Sequence, residues 1–94
     1  MLLSSFGDMP QVTSPHDLGT LIRERRRERA LSQQRLADAV GVSRQWIVEV
    51  ERGKARAEVG LLLRVLNALD LTVRVDPRAP DPLDFASVLG RGDP

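Results

Sequence analysis

The chain has 94 residues, a formal net charge of +1, 41% hydrophobic residues and three aromatics, two Phe and one Trp. That composition describes one small domain with a core of Leu, Val, Ile and Ala and no room for a large substrate cavity. Cysteine is absent, which excludes disulfides and thiolate metal sites, and His16 is the only histidine, which excludes a His cluster for zinc or acid–base chemistry.

Residues 1–13 carry no sustained periodicity, contain Gly7 and Pro10, and read as a flexible lead-in. They lack the basic start of a signal peptide, and no apolar run reaches the length of a membrane span, so a cytoplasmic location is expected. Ser14-Pro15-His16-Asp17 is a helix start: a capping hydroxyl, proline at the first helical position and an acid in the first turn. The helix it opens is predicted to run to about residue 29, with Leu18, Leu21, Ile22 and the stem of Arg25 or Arg26 inward. His16 reads as an exposed first-turn residue. Ala30-Leu31 breaks the pattern, and Leu31 anchors the connection.

Ser32 caps a second helix, in which Leu36, Ala37 and Val40 recur at helical spacing. Gly41 supplies the left-handed residue that ends it, Val42 is an apolar plug in the turn, and Ser43 caps a third helix. That helix carries Ile47 and Val50 inward and leaves Arg44, Gln45, Val48 and Glu49 on other faces until Gly53 stops it. A helix, a short Gly-containing turn and a helix with a polar start make the helix-turn-helix layout, although an αα-hairpin in a structural bundle has the same spacing. Arg44 and Gln45 tip the balance, since they lie at the end that would point into a major groove.

Residues 54–57 form a short basic loop. A fourth helix is predicted over 58–69, with Leu62, Val65, Leu66 and Leu69 as the apolar stripe that closes the bundle and Gly60 a weak spot costing about 1 kcal/mol relative to Ala. Asp70 ends it. Leu71, Thr72, Val73, Arg74 and Val75 then alternate with period two and read as the one strand of the chain. A lone strand leaves its backbone groups unpaired, so it is expected to pair with its counterpart in a second copy as an antiparallel ribbon across a two-fold axis; the alternative is an extended tail packed on the bundle. Residues 76–94 hold four of the six prolines and four acids and read as a disordered tail. Within it Phe85, Val88 and Leu89 form a small apolar cluster that is a docking segment, a degradation signal or without a role. The expected organisation is therefore a flexible segment 1–13, a domain 14–75 and a Pro-rich acidic tail 76–94.

Charge is unevenly placed. Residues 18–56 hold ten Lys/Arg against five Asp/Glu, the two ends are net acidic, and 57–75 is neutral. An electrostatic footprint for phosphate would have this distribution; part of the RERRRER run is expected to be a solvated helix face with internal Glu–Arg pairs.

Residues 19–71 resemble the Cro/phage-repressor (XRE) helix-turn-helix family, on the stretches LSQQRLA, GVSRQWI, VERGK and LLLRVLNALDL taken together in this order. The combination from SRQWI to NALDL followed by a lone strand resembles HipB-type antitoxins within that family. The resemblance implies an all-α, lambda-repressor-like bundle of four to five helices, with the C-terminal strand pairing across a homodimer. It implies a sequence-specific DNA-binding repressor acting on double-stranded DNA at a palindromic operator, nucleoid-associated, and the antitoxin of a pair that autoregulates its operon and binds a HipA-like kinase toxin. Two other readings stay open: a stand-alone regulator without a toxin, and a protein-interaction module that has lost DNA binding.

By the same resemblance Arg44 and Gln45 match the first base-reading positions, with Val48 suited to a thymine methyl and Glu49 either a cytosine N4 acceptor or a solvated acid. Gln33 and Ser43 match phosphate positions at helix N-termini, and Arg52, Lys54 and Arg56 match the loop that flanks the DNA backbone. Trp46 replaces a small hydroxyl residue, so its indole either donates to a phosphate or packs against the second helix. Arg26 and Glu51 match a buried structural salt bridge, and Arg25 stands where the family often has a core leucine. No enzyme, cofactor, metal or small-molecule substrate is expected: the chain has no nucleophile–base pair, and Gly53-Lys54-Ala55 lacks the rest of a P-loop.

Overall fold

Serine hydroxyls start three of the four helices of this computed structural model, which describes residues 11–78. They are α1 (Pro15–Glu28), α2 (Gln33–Val40), α3 (Arg44–Glu51) and α4 (Val59–Ala68). Ser14, Ser32 and Ser43 have extended backbone, and each hydroxyl accepts from the N–H three residues on, of Asp17, Arg35 and Trp46. Glu58 precedes α4 without a side-chain cap.

The helices also share one way of ending. An N–H returns to the carbonyl five residues back, from Leu31 to Arg26, Val42 to Ala37, Lys54 to Glu49 and Leu71 to Leu66. The residue before each returning N–H has positive φ: Ala30 (56°), Gly41 (86°), Gly53 (94°) and Asp70 (58°). This is the Schellman geometry, which satisfies carbonyls the helix leaves free. Glycine takes the conformation without strain at 41 and 53, whereas Ala30 and Asp70 carry a Cβ into it.

The core is Ile22, Leu36, Ala37, Val40, Ile47, Val50, Val65, Leu66 and Leu69, so every helix or its end contributes. Helix α3 packs on both α1 and α2, and α2 packs on α4. Gly19 makes the α1–α3 contact possible: a Cβ there would lie 2.4 Å from the Val50 carbonyl oxygen. Leu18 packs at the core's edge, and Leu21, expected inward, is half-buried.

Arginines tie the helix ends together. Arg25 runs across the bundle so that its Nε donates to the Leu69 carbonyl at 2.9 Å. Arg29 pairs with Asp70 beside it, and Arg64 Nη1 donates to the Val40 carbonyl at 2.9 Å. Cations thus meet the partly negative C-terminal ends of α4 and α2.

The strand expected over 71–75 is not formed. No strand occurs among the described residues, because a strand exists only by pairing and nothing in residues 11–78 pairs with this segment. Leu71 alone in it packs on the core, and Thr72 to Val75 are exposed. Among the described residues the fold is all-helical, with four helices. No helix among the described residues is long and apolar enough to cross a membrane. The expectations for residues 1–10 and for Phe85, Val88 and Leu89 lie outside the described residues.

Candidate nucleic-acid interface

Alternation of inward and outward residues along α3 builds the site. Ile47 and Val50 are buried in the core, which leaves Arg44 and Gln45 exposed and Val48 and Glu49 half-buried on the flank. Ser43, exposed at the N-terminus, fixes the first turn by accepting from the Trp46 N–H at 3.0 Å. Trp46 is half-buried and packs against the core cluster.

A chain of polar contacts runs from the interior to Arg44. Arg26 and Glu51 are 8% and 7% exposed and face each other in a fork-on-fork pair. Arg26 Nε donates to Glu51 Oε2 at 2.6 Å and Nη2 donates to Oε1 at 3.1 Å, while Nη1 donates to the Leu31 carbonyl at 2.8 Å. Gln33 Nε2 also donates to Glu51 Oε1, at 3.1 Å, and Gln33 Oε1 accepts from Arg44 Nη2 at 3.4 Å. Among the described residues no buried side-chain N or O atom lacks a partner, so this network is closed on its buried side.

A second set of contacts runs along α3 from Gln45 to Lys54, just past its C-terminal end. Glu49 Oε2 accepts from Gln45 Nε2 at 3.2 Å, and Glu49 Oε1 accepts from Lys54 Nζ at 3.0 Å. The hydrogen bond from Lys54, then the one from Gln45 and the Lys54 charge, hold the Glu49 carboxyl below the ordinary glutamate range. Arg52 and Arg56 are exposed on either side of Lys54, and neither makes an ion pair among the described residues.

Arg44, Gln45, Glu49, Arg52 and Lys54 therefore belong to α3 and the loop that leaves it, with Gln33 joined to them from α2. The surface can present a bidentate guanidinium, a side-chain amide and a fringe of cations. It has the chemistry for base edges and phosphates. No group of three His, Cys, Asp or Glu among the described residues could hold a metal ion. Two connections escape sequence reasoning. Gln33 reaches Glu51 only because α2 packs on α3, which no local pattern encodes. The Glu49–Lys54 pair spans five residues, outside the ordinary helical spacing of three or four; the signal for it was Gly53, whose left-handed turn folds the following residue back.

Comparison with known proteins bears on this surface. Residues 17–80 match the family described as "Helix-turn-helix domain". The chain is 37% identical over 65 residues to the uncharacterized HTH-type transcriptional regulator y4mF of Sinorhizobium fredii, covering 69% of this chain and 86% of the relative. Among solved structures it resembles the clp gene regulator ClgR of Corynebacterium glutamicum, with a TM-score of 0.60, 30% identity and 67% of each chain covered. It also resembles a chain of the HipA-HipB-O2-O3 complex, with a TM-score of 0.70 over 76% of this chain and 100% of that one. Identity there is 18%, and the likeness is one of fold.

Proposed function

The chain belongs to the XRE-type helix-turn-helix domain family, and from that membership we propose that it is a homodimeric, sequence-specific DNA-binding repressor. The observation that carries the reading is the exposed Arg44–Gln45 end of α3, braced from behind through Gln33 and the Arg26–Glu51 pair. Arg44 takes guanine O6/N7, Gln45 takes adenine N6/N7 and Val48 meets a thymine methyl. Glu49 lies on the same face. Ser43, Gln33, Arg52, Lys54 and Arg56 meet phosphates and set the register, while Trp46 holds α3 in place. Two α3 helices then enter successive major grooves about 34 Å apart on a palindromic operator.

Residues 71–75 pair with their counterpart in a second copy. What supports this is their exposed, period-two apolar pattern: Val73 and Val75 are 52% and 90% exposed, which a partner would cover. The finer role is that of a HipB-type antitoxin that binds a HipA-like toxin and represses their shared promoter. Support for it is the fold likeness to the HipA-HipB-O2-O3 complex together with the sequence resemblance. Co-purification with the product of the adjacent reading frame tests the toxin; a lone protein on its promoter makes it a stand-alone regulator.

Selection from a randomised duplex library tests the central reading. The expected result is an enriched palindrome bound at least about a thousandfold more tightly than random duplex at equal salt. No enrichment overturns it.

A further inference from the structure

We infer that Glu49 is a latch: in the DNA-free protein its two carboxylate oxygens hold Gln45 and Lys54, a base-facing amide and a phosphate-facing ammonium, and DNA engagement releases both. The inference rests on the DNA-binding reading above. Its geometry is set by backbone. Gly53 at positive φ turns the chain so that the Lys54 N–H bonds to the Glu49 carbonyl at 3.0 Å. Residues so placed at a Schellman end usually meet through an apolar contact. Here the same adjacency joins a carboxylate to an ammonium, Nζ to Oε1 at 3.0 Å. The other oxygen, Oε2, takes the Gln45 amide one turn back along α3.

All three groups lie on the surface proposed to face DNA, and the pair is open to water, with both side chains 40% exposed. An ion pair this exposed is weak and exchanges readily. On random DNA the closed latch withholds one cation from the phosphates and one amide from the bases, and it keeps a negative charge toward the duplex. At a matching site the base contacts of Gln45 draw it away from Glu49, and Lys54 is freed for a phosphate. Glu49 is thus a positioning residue that sharpens specificity by weakening the wrong complexes.

The test uses the full chain as wild type, Glu49→Ala and Glu49→Ala with Lys54→Met. The Gln45 side-chain amide is followed by NMR without DNA, and affinity is measured across a KCl series for a duplex enriched by selection and for random duplex of equal length. In Glu49→Ala the Gln45 amide signals should move. Affinity for random duplex should rise about three- to tenfold at low salt, and the log–log salt slope should steepen by about 0.9. Adding Lys54→Met should return the slope to the wild-type value. Unmoved Gln45 signals or an unchanged slope in Glu49→Ala overturn the latch. So does a loss confined to one base position with random-duplex affinity unchanged, which makes Glu49 a direct base contact. A steeper slope that survives Lys54→Met also overturns it, since the effect is then that of removing a negative charge. Wild-type protein that enriches no sequence overturns the DNA-binding reading and the release step with it, and moved Gln45 signals in that case separate the two failures.

Discussion

Truncating Glu51 alone leaves the Arg26 guanidinium buried without its counter-charge, and Gln33 without its acceptor. Glu51→Ala should therefore destabilise the domain by about 3–5 kcal/mol in urea unfolding, whereas Arg26→Met with Glu51→Leu should cost much less, because no buried charge is then left over. A double variant as unstable as the single one would show that the pair contributes more than its mutual compensation. Arg44 belongs to the same network but ends at the surface, so Arg44→Ala should leave the melting midpoint nearly unchanged. On an enriched duplex it should weaken binding by about 1–3 kcal/mol and relax preference at one base position. Equal weakening on every sequence would assign it to phosphate instead. The two residues separate what holds the fold from what is proposed to read DNA.

Helix ends are where sequence and structure agree most closely at the next scale. Ser14, Ser32 and Ser43 stand where a cap must stand, and Gly41 and Gly53 stand where left-handed backbone is needed, so those boundaries were legible. The ends at Ala30 and Asp70 adopt the same backbone without glycine and had to be placed from lost periodicity. Ala30→Gly should relieve that conformation and raise stability by about 0.5–1 kcal/mol in thermal melts; an unchanged or lowered midpoint would mean the strain is negligible at this site. The start of α1 makes a pH prediction. The Thr13 N–H, and after it the Thr13 hydroxyl, donate to Asp17 Oδ2 and hold its carboxyl below the ordinary aspartate range. A carboxyl with a lowered value in the folded state contributes its stabilisation above the ordinary value and loses it as pH falls through the folded one. The Thr13 amide should thus keep its hydrogen-exchange protection at neutrality and down through the ordinary aspartate value, and lose it only in more acid solution; protection constant through the whole acid range would remove the contact.

At the scale of the molecule, residues 71–75 show the limit of reading one chain. Period-two alternation identifies a segment suited to a sheet, but strand formation needs a partner, and a single chain supplies none in residues 11–78. Val73→Pro removes an N–H from the proposed shared ribbon and should convert the proposed dimer to monomer in sedimentation, while α1–α4 keep their helical signal; a sedimenting mass equal to that of the wild type would remove the ribbon. The helix-turn-helix unit, by contrast, was visible because its signals are local, whereas Gln33 bridging Glu51 and Arg25 reaching Leu69 depend on packing between distant segments. Those reaching arginines bear on ionic strength. Arg25, Arg26 and Arg29 are engaged within their own chain, by the Leu69 carbonyl and Glu28, by Glu51 and by Asp70, so three of the five arginines in the richest basic run are occupied before any polyanion arrives, while Arg23 and Arg27 stay exposed and make no ion pair among the described residues. If the proposed DNA-binding surface is the one used, counterion displacement by each copy of the chain should track the cations bordering α3 and fall short of what the sequence tally of positive residues implies.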